Sequence, residues 1–442
     1  MENKMTTIVS PYKIFNVEDK EYYYNIKNSG IFEYDGILKA YLESNAYKNE
    51  ECDLESCGYT QEETREFIAN ALNAEIIIDE KKHEKCRAFD INKNVNSVTL
   101  MVSQMCNLRC EYCYGEGGEF NHKPGIMKFE VAKKAIDLLV EKSPSNKLLV
   151  AFMGGEPLMN FDLIKKVVEY CSSIENKEFV FTMTTNGTLI TEEFENYIKD
   201  KKFNVQISID GAKEQHDKRR YFINKKPTYD MIMRKTANMR KEGKLTARAT
   251  LSSGNLDYIN VFDTLDDLGF TGIPLAVAKN MLKDEDKNLE FDQYKKYVDY
   301  FVSLMQNKDF AKAKKMVDLY MNFTKIKNAG RNTKGCGAFR NSIAVNIDGN
   351  IYPCHRFVGS EKFCMGDVDK KEILNKERTS DERCENCWLS NLCLGGCAYE
   401  NDEENKDIDI PDNTFCEKMK YLYSKLVPLY ISLAYSKEKE LG

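Results

Sequence analysis

The chain has 442 residues, 42% of them hydrophobic, which is enough to bury a sizeable core in two or three domains. Its 64 basic residues against 70 acidic ones leave a net charge of -6, which argues against a nucleic-acid partner. Met1 to Ser10 lack the charged start and apolar run of a secretory signal, and no apolar stretch reaches the length of a membrane span, so a cytoplasmic protein with no membrane partner is expected. Fifteen cysteines then need a reason, because cytosolic thiols stay reduced and seldom pair. Ten fall into patterned groups, while Cys52, Cys57, Cys86, Cys171 and Cys364 are scattered. Clustered cytosolic cysteines more often hold metal or do chemistry.

Residues 1–90 read as a small separate unit. "YKIFNV", "YYYNI" and "GIFEYD" are short, aromatic and β-branched, and polar turn residues split them. "ILKAYLES" and "QEETREFIANALNAEI" follow with helical spacing, predicting a small α+β or winged-helix unit. Over 95–285 the pattern alternates. Strand-like "SVTLMVS", "KLLVAFMGG", "FVFTMTTN", "FNVQISIDG", "LTARATLS" and "GIPLAVA" are separated by helix-like segments such as "FEVAKKAIDLLVEKS" and "YDMIMRKTANMRKEG". Six β/α repeats predict a parallel sheet curved into an incomplete barrel, an α/β fold whose chemistry gathers at the C-terminal strand ends. Residues 286–335 read as a helical linker, 336–420 as a cysteine-rich domain, and 421–442 as a C-terminal amphipathic helix interrupted by Pro428.

"SQMCNLRCEYCY" follows the first barrel strand and sets Cys106, Cys110 and Cys113 in one loop. Thiolates hold iron in cubane clusters of four irons, and three cysteines leave one iron free for another ligand. "MGGEP" ends the second strand with Gly154, Gly155 and Glu156: two glycines that permit close backbone approach, then a carboxylate. "TTNGT", with Asn186, ends the third strand and "SIDG", with Ser208, the fourth. Arg220 and Arg248 are cations suited to bidentate capture of a carboxylate. Taken singly, each is an ordinary turn, sheet or surface residue, and the cysteines alone also admit a structural zinc.

The C-x3-C-x2-C spacing, with Tyr112 before its last cysteine, resembles the signature of radical S-adenosylmethionine (SAM) enzymes. That resemblance implies a 4Fe–4S cluster on Cys106, Cys110 and Cys113 whose open iron chelates the amino and carboxylate groups of SAM. Reduction then yields a 5′-deoxyadenosyl radical, the cofactors carrying the hard chemistry. It also implies that Tyr112 and the Gly154–Glu156 and Asn186 motifs line SAM. The motif with Glu156 meets the amino group, and Ser208, Arg220 and Arg248 lie near the carboxylate or ribose.

Downstream, Cys336, Gly349, Cys354, Cys384, Cys387, Cys393, Cys397 and Cys416 form C-x12-G-x4-C … C-x2-C-x5-C-x3-C … C. This resembles the SPASM domain of radical SAM peptide and protein maturases, although C-x2-C pairs also build zinc ribbons. The resemblance implies two auxiliary 4Fe–4S clusters, making three in all. Cys384, Cys387, Cys393 and Cys416 hold one, and Cys336, Cys354 and Cys397 hold the other. Some relatives carry an eighth cysteine just before the position of Cys336. "KNAGRNTKG" has none, so one auxiliary iron is left open for a substrate thiolate unless Cys364 fills it. Cys364 also reads as a packed small hydrophobe.

Sulfatase-maturating members place an Asp directly after the cysteine of the G-x4-C element, serving as a base. Here His355 stands there, a candidate proton acceptor. "CGAFRNSIAVNIDGNIYPCHRFVG" looks instead like makers of thioether-crosslinked peptides, including SCIFF and Cys-rich peptide maturases, and like quinohaemoprotein amine dehydrogenase maturases. The resemblance implies a Cys-rich precursor peptide whose leader docks on residues 1–90 by strand addition, and a reductant such as flavodoxin or ferredoxin. Tyr22, Tyr23 and Tyr24 are candidate apolar contacts for it, or else side chains that simply pack the little sheet. Carbon–carbon crosslinking, sulfatase-type maturation and plain Fe–S electron transfer are the competing functions.

Overall fold

The computed structural model describes residues 7–44, 54–79, 91–120, 123–328, 336–374, 378–379 and 381–439; Cys52 and Cys86 lie outside them. The chain divides into two compact units, Met1–Ala88 with Met321–Gly335 and Thr379–Gly442, and Phe89–Tyr320 with Cys336–Arg378.

The first unit begins with β1 (Thr7–Val9), β2 (Tyr12–Val17), β3 (Lys20–Asn25) and β4 (Ile31–Glu33), then α1 (Gly36–Glu43), α2 (Gln61–Asn73) and β5 (Ile77–Asp79). Strands β2, β3 and β4 form an antiparallel sheet, and β1 pairs with β5. Alternation along β3 sends Tyr23 into a core with Leu38, Tyr41, Leu42, Leu54 and Ala71, and turns Tyr22 and Tyr24 to the other face. The tyrosine run thus packs both sides of this sheet: all three rings are buried. Helix α2 starts at a reciprocal cap, where Thr60 Oγ1 accepts from Glu63 N (3.3 Å) and the Glu63 carboxylate accepts from Thr60 N (2.8 Å).

The second unit alternates β6 (Ser97–Ser103), α3 (Phe129–Lys142), β7 (Lys147–Gly154), α4 (Phe161–Ser172), β8 (Glu178–Thr185), α5 (Glu192–Ile198) and β9 (Phe203–Ser208). It continues through α6 (Lys213–Arg219), α7 (Tyr229–Lys235), α8 (Ala237–Lys241), β10 (Leu245–Leu251), α9 (Tyr258–Asp267), β11 (Leu275–Val277), α10 (Lys287–Gln306) and α11 (Phe310–Lys315). Helix α12 (Val317–Asn328) starts in this unit and ends in the other. The one helix expected over 229–243 is two, parted at Thr236, whose hydroxyl donates back to Ile232 O (2.7 Å). The sixth strand is shorter than expected because Pro274, with no N–H to donate, precedes it.

The six strands β6 to β11 are parallel, in the order expected of an incomplete β/α barrel. The sheet then continues past β6. β12 (Ser342–Val345) lies parallel beside β6 with Ile343 opposite Val98, and β13 (Asn350–Tyr352) and β14 (Gly366–Asp367) follow antiparallel. Cys336 to Arg378 therefore belong with the barrel, and the domain expected over 336–420 is divided between the units. The remainder folds with the N-terminal sheet: α13 (Glu382–Glu385), α14 (Ser390–Cys393), α15 (Ala398–Asn405) and α16 (Asn413–Lys439). Helix α16 runs on through Pro428 instead of breaking there, with Leu426, Val427, Leu429 and Ile431 buried on both sides of the proline.

Parallel strands are usually apolar on both faces. Here Leu245, Ala247, Ala249 and Leu251 of β10 are buried, whereas the alternate Thr246, Arg248 and Thr250 keep accessible surface. Strand β8 repeats this with Val180, Thr182 and Thr184, and β9 with Gln206 and Ser208. One face of the sheet packs against helices; the other is a polar, open wall.

Candidate active site

Cys106 lies just beyond β6, and the loop that carries it is tied down by its neighbours. Leu108 bridges Phe222, Arg109 N donates to Tyr221 O (2.9 Å), and Glu111 N donates to Arg219 O (3.0 Å). The Arg109 side chain turns inward and donates through Nη1 to the carbonyls of Cys106 (3.0 Å) and Leu108 (2.8 Å). Beneath the loop runs the Gly154–Gly155–Glu156 turn, with Gly155 N donating to Ser103 O (2.7 Å) and Glu156 N to Met105 O (2.9 Å). A Cβ on Gly154 (φ +142°) would fall 2.0 Å from Ser103 O, and one on Gly155 2.3 Å from Met105 O. The close approach these glycines permit is to the backbone of the three-cysteine loop itself.

Glu156 is fully buried and already committed. It accepts from Thr185 Oγ1 (2.6 Å), Leu158 N (3.0 Å) and Asn186 N (2.8 Å), so it fastens the end of β7 to the end of β8. Burial raises its pKa above the ordinary carboxylate value, and those three donors offset part of the rise. Asn186 donates to Asn107 Oδ1 (2.9 Å) and reaches Cys106 Sγ (3.9 Å), while Asn107 donates to Thr188 Oγ1 (2.8 Å). The third strand end thus grips the cysteine loop from the side.

On the far side, the Tyr112 hydroxyl donates to Asp210 and accepts from Arg220 Nη1 (2.8 Å). Asp210 also accepts from Thr250 N (3.0 Å), and its own N–H points to His216 Nδ1 (3.4 Å). His216 Nε2 meets Thr228 Oγ1 (2.9 Å), which donates to Arg220 O (2.8 Å). All of these side chains are buried. Burial works against the Arg220 charge, but Cys110, Tyr112 and Asp210 outweigh it and keep the guanidinium protonated. Among the described residues Arg220 Nε has no hydrogen-bond partner, a buried donor of the kind an anionic ligand satisfies. Sequence reasoning quoted Asp210 inside "SIDG" and passed over it. Asn107 acts through Asn186 and Thr188, far along the chain, and His216 and Thr228 through partners across a loop at no regular spacing, so no periodicity marks them.

On the open wall, Arg248 stands opposite Ser208 in the strand register, and both keep accessible surface. Tyr114 is 42% exposed and His355 is part-exposed, and Arg248 lies within electrostatic reach of both. Their rings lie 6.0 Å apart, and the Arg356 guanidinium sits 5.7 Å from the Tyr114 ring centre. Burial, Arg356 and Arg248 push His355 down to about 4, so it is a neutral imidazole at neutral pH. Asp318 faces Arg248 and accepts from Leu275 N (3.0 Å).

Cys106, Cys110 and Cys113 each lie within electrostatic reach of the other two. So do all four of Cys384, Cys387, Cys393 and Cys416. Burial pushes Cys106 up to about 12 and Cys393 to about 11, with the neighbouring thiols adding to the rise. Such groups ionise together only around a strongly positive centre, and coordination to iron is one. The donor sets therefore fit clusters of three and four cysteine ligands. Among the described residues no group of three or more His, Cys, Asp or Glu is placed to hold a single metal ion; cluster ligands sit on separate irons and need not converge. Cys336 and Cys354 lie in the barrel unit, and Cys397 in the other. Cys364 Sγ is 3.6 Å from Gly366 O, a weak backbone hydrogen bond of a packed thiol.

Residues 100–257 match the family model of the radical SAM superfamily. A cysteine-type anaerobic sulfatase-maturating enzyme of Clostridium novyi is 28% identical over 78% of this chain and 99% of its own length. An uncharacterised protein of Methanocaldococcus jannaschii is 31% identical over 64% of this chain and 93% of its own. Among solved structures, native anSMEcpe with bound AdoMet and the Cp18Cys peptide has a TM-score of 0.62 at 22% identity, covering 77% of this chain and 99% of that one. Streptococcus suis SuiB bound to the precursor peptide SuiA has a TM-score of 0.52 at 14% identity, covering 93% and 100%. These two show the fold.

Proposed function

The chain belongs to the radical SAM superfamily, and we propose that it is a peptide maturase that installs thioether crosslinks in a ribosomally made, Cys-rich precursor. The observation that carries this reading is that His355 follows Cys354 and faces Tyr114, with Arg248 of the open wall within electrostatic reach of both. A sulfatase-type maturase carries an Asp at that position, and this chain has His355 there. The polar wall of β8, β9 and β10 offers room for an extended peptide above the three-cysteine loop. Solved relatives in this fold hold peptides, Cp18Cys in one and SuiA in another.

SAM with its reduced cluster, when bound, supplies a radical that takes one hydrogen atom from an acceptor carbon. This chain's residues do the rest. Cys106, Cys110 and Cys113 hold the cluster, and the Glu156, Asn186 and Tyr112 contacts fix their loop. Arg220, Ser208 and Arg248 supply cationic and hydroxyl partners for the carboxylate and ribose of SAM. A peptide thiol gives up its proton as its sulfur bonds to the carbon, and auxiliary clusters, which Cys384, Cys387, Cys393 and Cys416 and Cys336, Cys354 and Cys397 would hold, would supply an acceptor for the remaining electron. The product is lighter by two hydrogens for each crosslink.

Anaerobic turnover with SAM, a flavodoxin or dithionite reductant and a candidate Cys-rich peptide, followed by thiol alkylation and mass spectrometry, tests this. The expected result is a two-hydrogen loss with one fewer alkylatable cysteine. A two-hydrogen loss with every cysteine still alkylated replaces the proposal with carbon–carbon crosslinking. 5′-Deoxyadenosine with an unchanged peptide removes the substrate assignment.

A further inference from the structure

The single tryptophan of the chain, Trp388, directly follows Cys387. Phe15 of β2 meets its ring edge-on at 5.7 Å, Tyr24 of β3 does so at 6.2 Å, and the Lys13 ammonium lies 4.2 Å from its centre. Two residues before Cys393, the Asn391 amide donates to the carbonyls of Ile26 (2.9 Å) and Lys27, at the end of the same hairpin. Helix α16, which carries Cys416, packs on β2. Every stretch that carries these four cysteines is therefore held against β2–β3.

The cysteine segment has little order of its own. Helices α13 and α14 are single turns of four residues, and Leu394, Gly395 and Gly396 all take left-handed backbone angles. A single helical turn is not self-supporting. One face of the hairpin holds Tyr23 in the unit's core, but on the other its Phe15 and Tyr24 rings rest on Trp388, and among the described residues β2 pairs with β3 alone.

We propose that the Cys384–Cys387–Cys393–Cys416 site and the β2–β3 hairpin are one cooperative element, joined through Trp388 and Asn391, so that the N-terminal unit presents its peptide-binding hairpin only when the four-cysteine site is filled. The part about peptide binding rests on reading residues 1–90 as the recognition element. By linkage the effect is reciprocal: a peptide bound at the hairpin tightens the site, and a filled site tightens the peptide. In this way a maturase commits a precursor only when its electron-accepting site is ready.

Two measurements on the full-length chain separate this proposal from the reading beneath it. The first is hydrogen exchange at residues 12–25, without peptide, for the reconstituted wild type, Cys387→Ser/Cys393→Ser, Trp388→Ala, Asn391→Ala and Trp388→Phe. Protection is expected to fall in the first three variants, and Trp388→Phe is expected to restore most of it. Unchanged protection after emptying the four-cysteine site overturns the proposal whether or not any peptide binds. The second is titration with labelled precursor peptide, followed by anisotropy and by Trp388 emission. Emptying the site is expected to weaken binding about 10-fold, inside the usual span of coupling between sites. Equal affinities with and without the filled site also overturn it. If no form binds peptide while exchange still responds to the site, the recognition reading fails and the cooperative element stands.

Discussion

The two units position their cysteines in opposite ways. In the barrel unit the three-cysteine loop is held from three sides by elements that exist for other reasons. The glycine turn after β7 lies beneath it, Asn186 and Thr188 after β8 grip one flank, and Asp210 and Arg220 after β9 grip the other. In the other unit the four-cysteine motif sits on one-turn helices braced by a small hairpin. The first loop is preorganised by the protein. The second depends on what it holds. A site that must repeat radical chemistry needs the first kind of support; a site whose filling serves as a signal is better served by the second.

The sharpest way to break this contrast is to remove the countercharge in the barrel unit. Arg220→Met removes the larger of the two cations acting on buried Asp210, leaving Arg219, and takes the Nη1 donor from Tyr112; losing one partner of a buried charged network costs up to about 3–5 kcal/mol. Denaturant unfolding and cluster incorporation, read by electron paramagnetic resonance, should both fall, and a wild-type midpoint would show the loop independent of that network. Glu156→Gln comes next. It keeps the shape but offers Thr185, Asn186 and Leu158 a neutral acceptor, at a cost of about 1.5–3 kcal/mol for hydrogen bonds to a charged group. The expected signature is a lower unfolding midpoint with hairpin exchange at residues 12–25 untouched.

The fold was largely legible because strand alternation and glycine punctuation are local. "SVTLMVS" is β6 residue for residue, and the cysteine loop falls at its C-terminal end as an α/β barrel requires. What the sequence could not show was long-range. β12 joins β6 across some 240 residues of chain, and nothing in "SIAV" announces a parallel partner. Nothing in the sequence marks Trp388, and only the fold shows it resting on Phe15 and Tyr24. The glycines of "MGGEP" were read toward a ligand, while their Cβ positions point into the backbone of Ser103 and Met105. Sequence spacing marks which residues gather at a strand end, not what each one touches.

A smaller effect separates the units by pH. His216 is buried, and burial together with Arg220 holds it well below its ordinary value. The unfolded chain therefore binds this proton first: its stabilising contribution is complete above about pH 6.5 and is lost as pH falls below that value. The loss approaches about 1.4 kcal/mol per pH unit while the folded ring stays neutral. His216→Gln should flatten the acid limb of barrel unfolding and leave exchange in the N-terminal hairpin unchanged.

The mildest test falls in the other unit. Thr60→Ala removes the hydroxyl that caps α2 and the anchor for Glu63, worth about 1 kcal/mol. In a preorganised unit so small a change stays local. If the N-terminal unit is as marginal as its one-turn helices suggest, protection should drop across β2 and β3 as well, because α2 and Tyr23 share one core. Filling the four-cysteine site should then restore part of that protection. A loss confined to the first turn of α2 would show the small unit to be as self-sufficient as the barrel, and would take away the basis of the contrast.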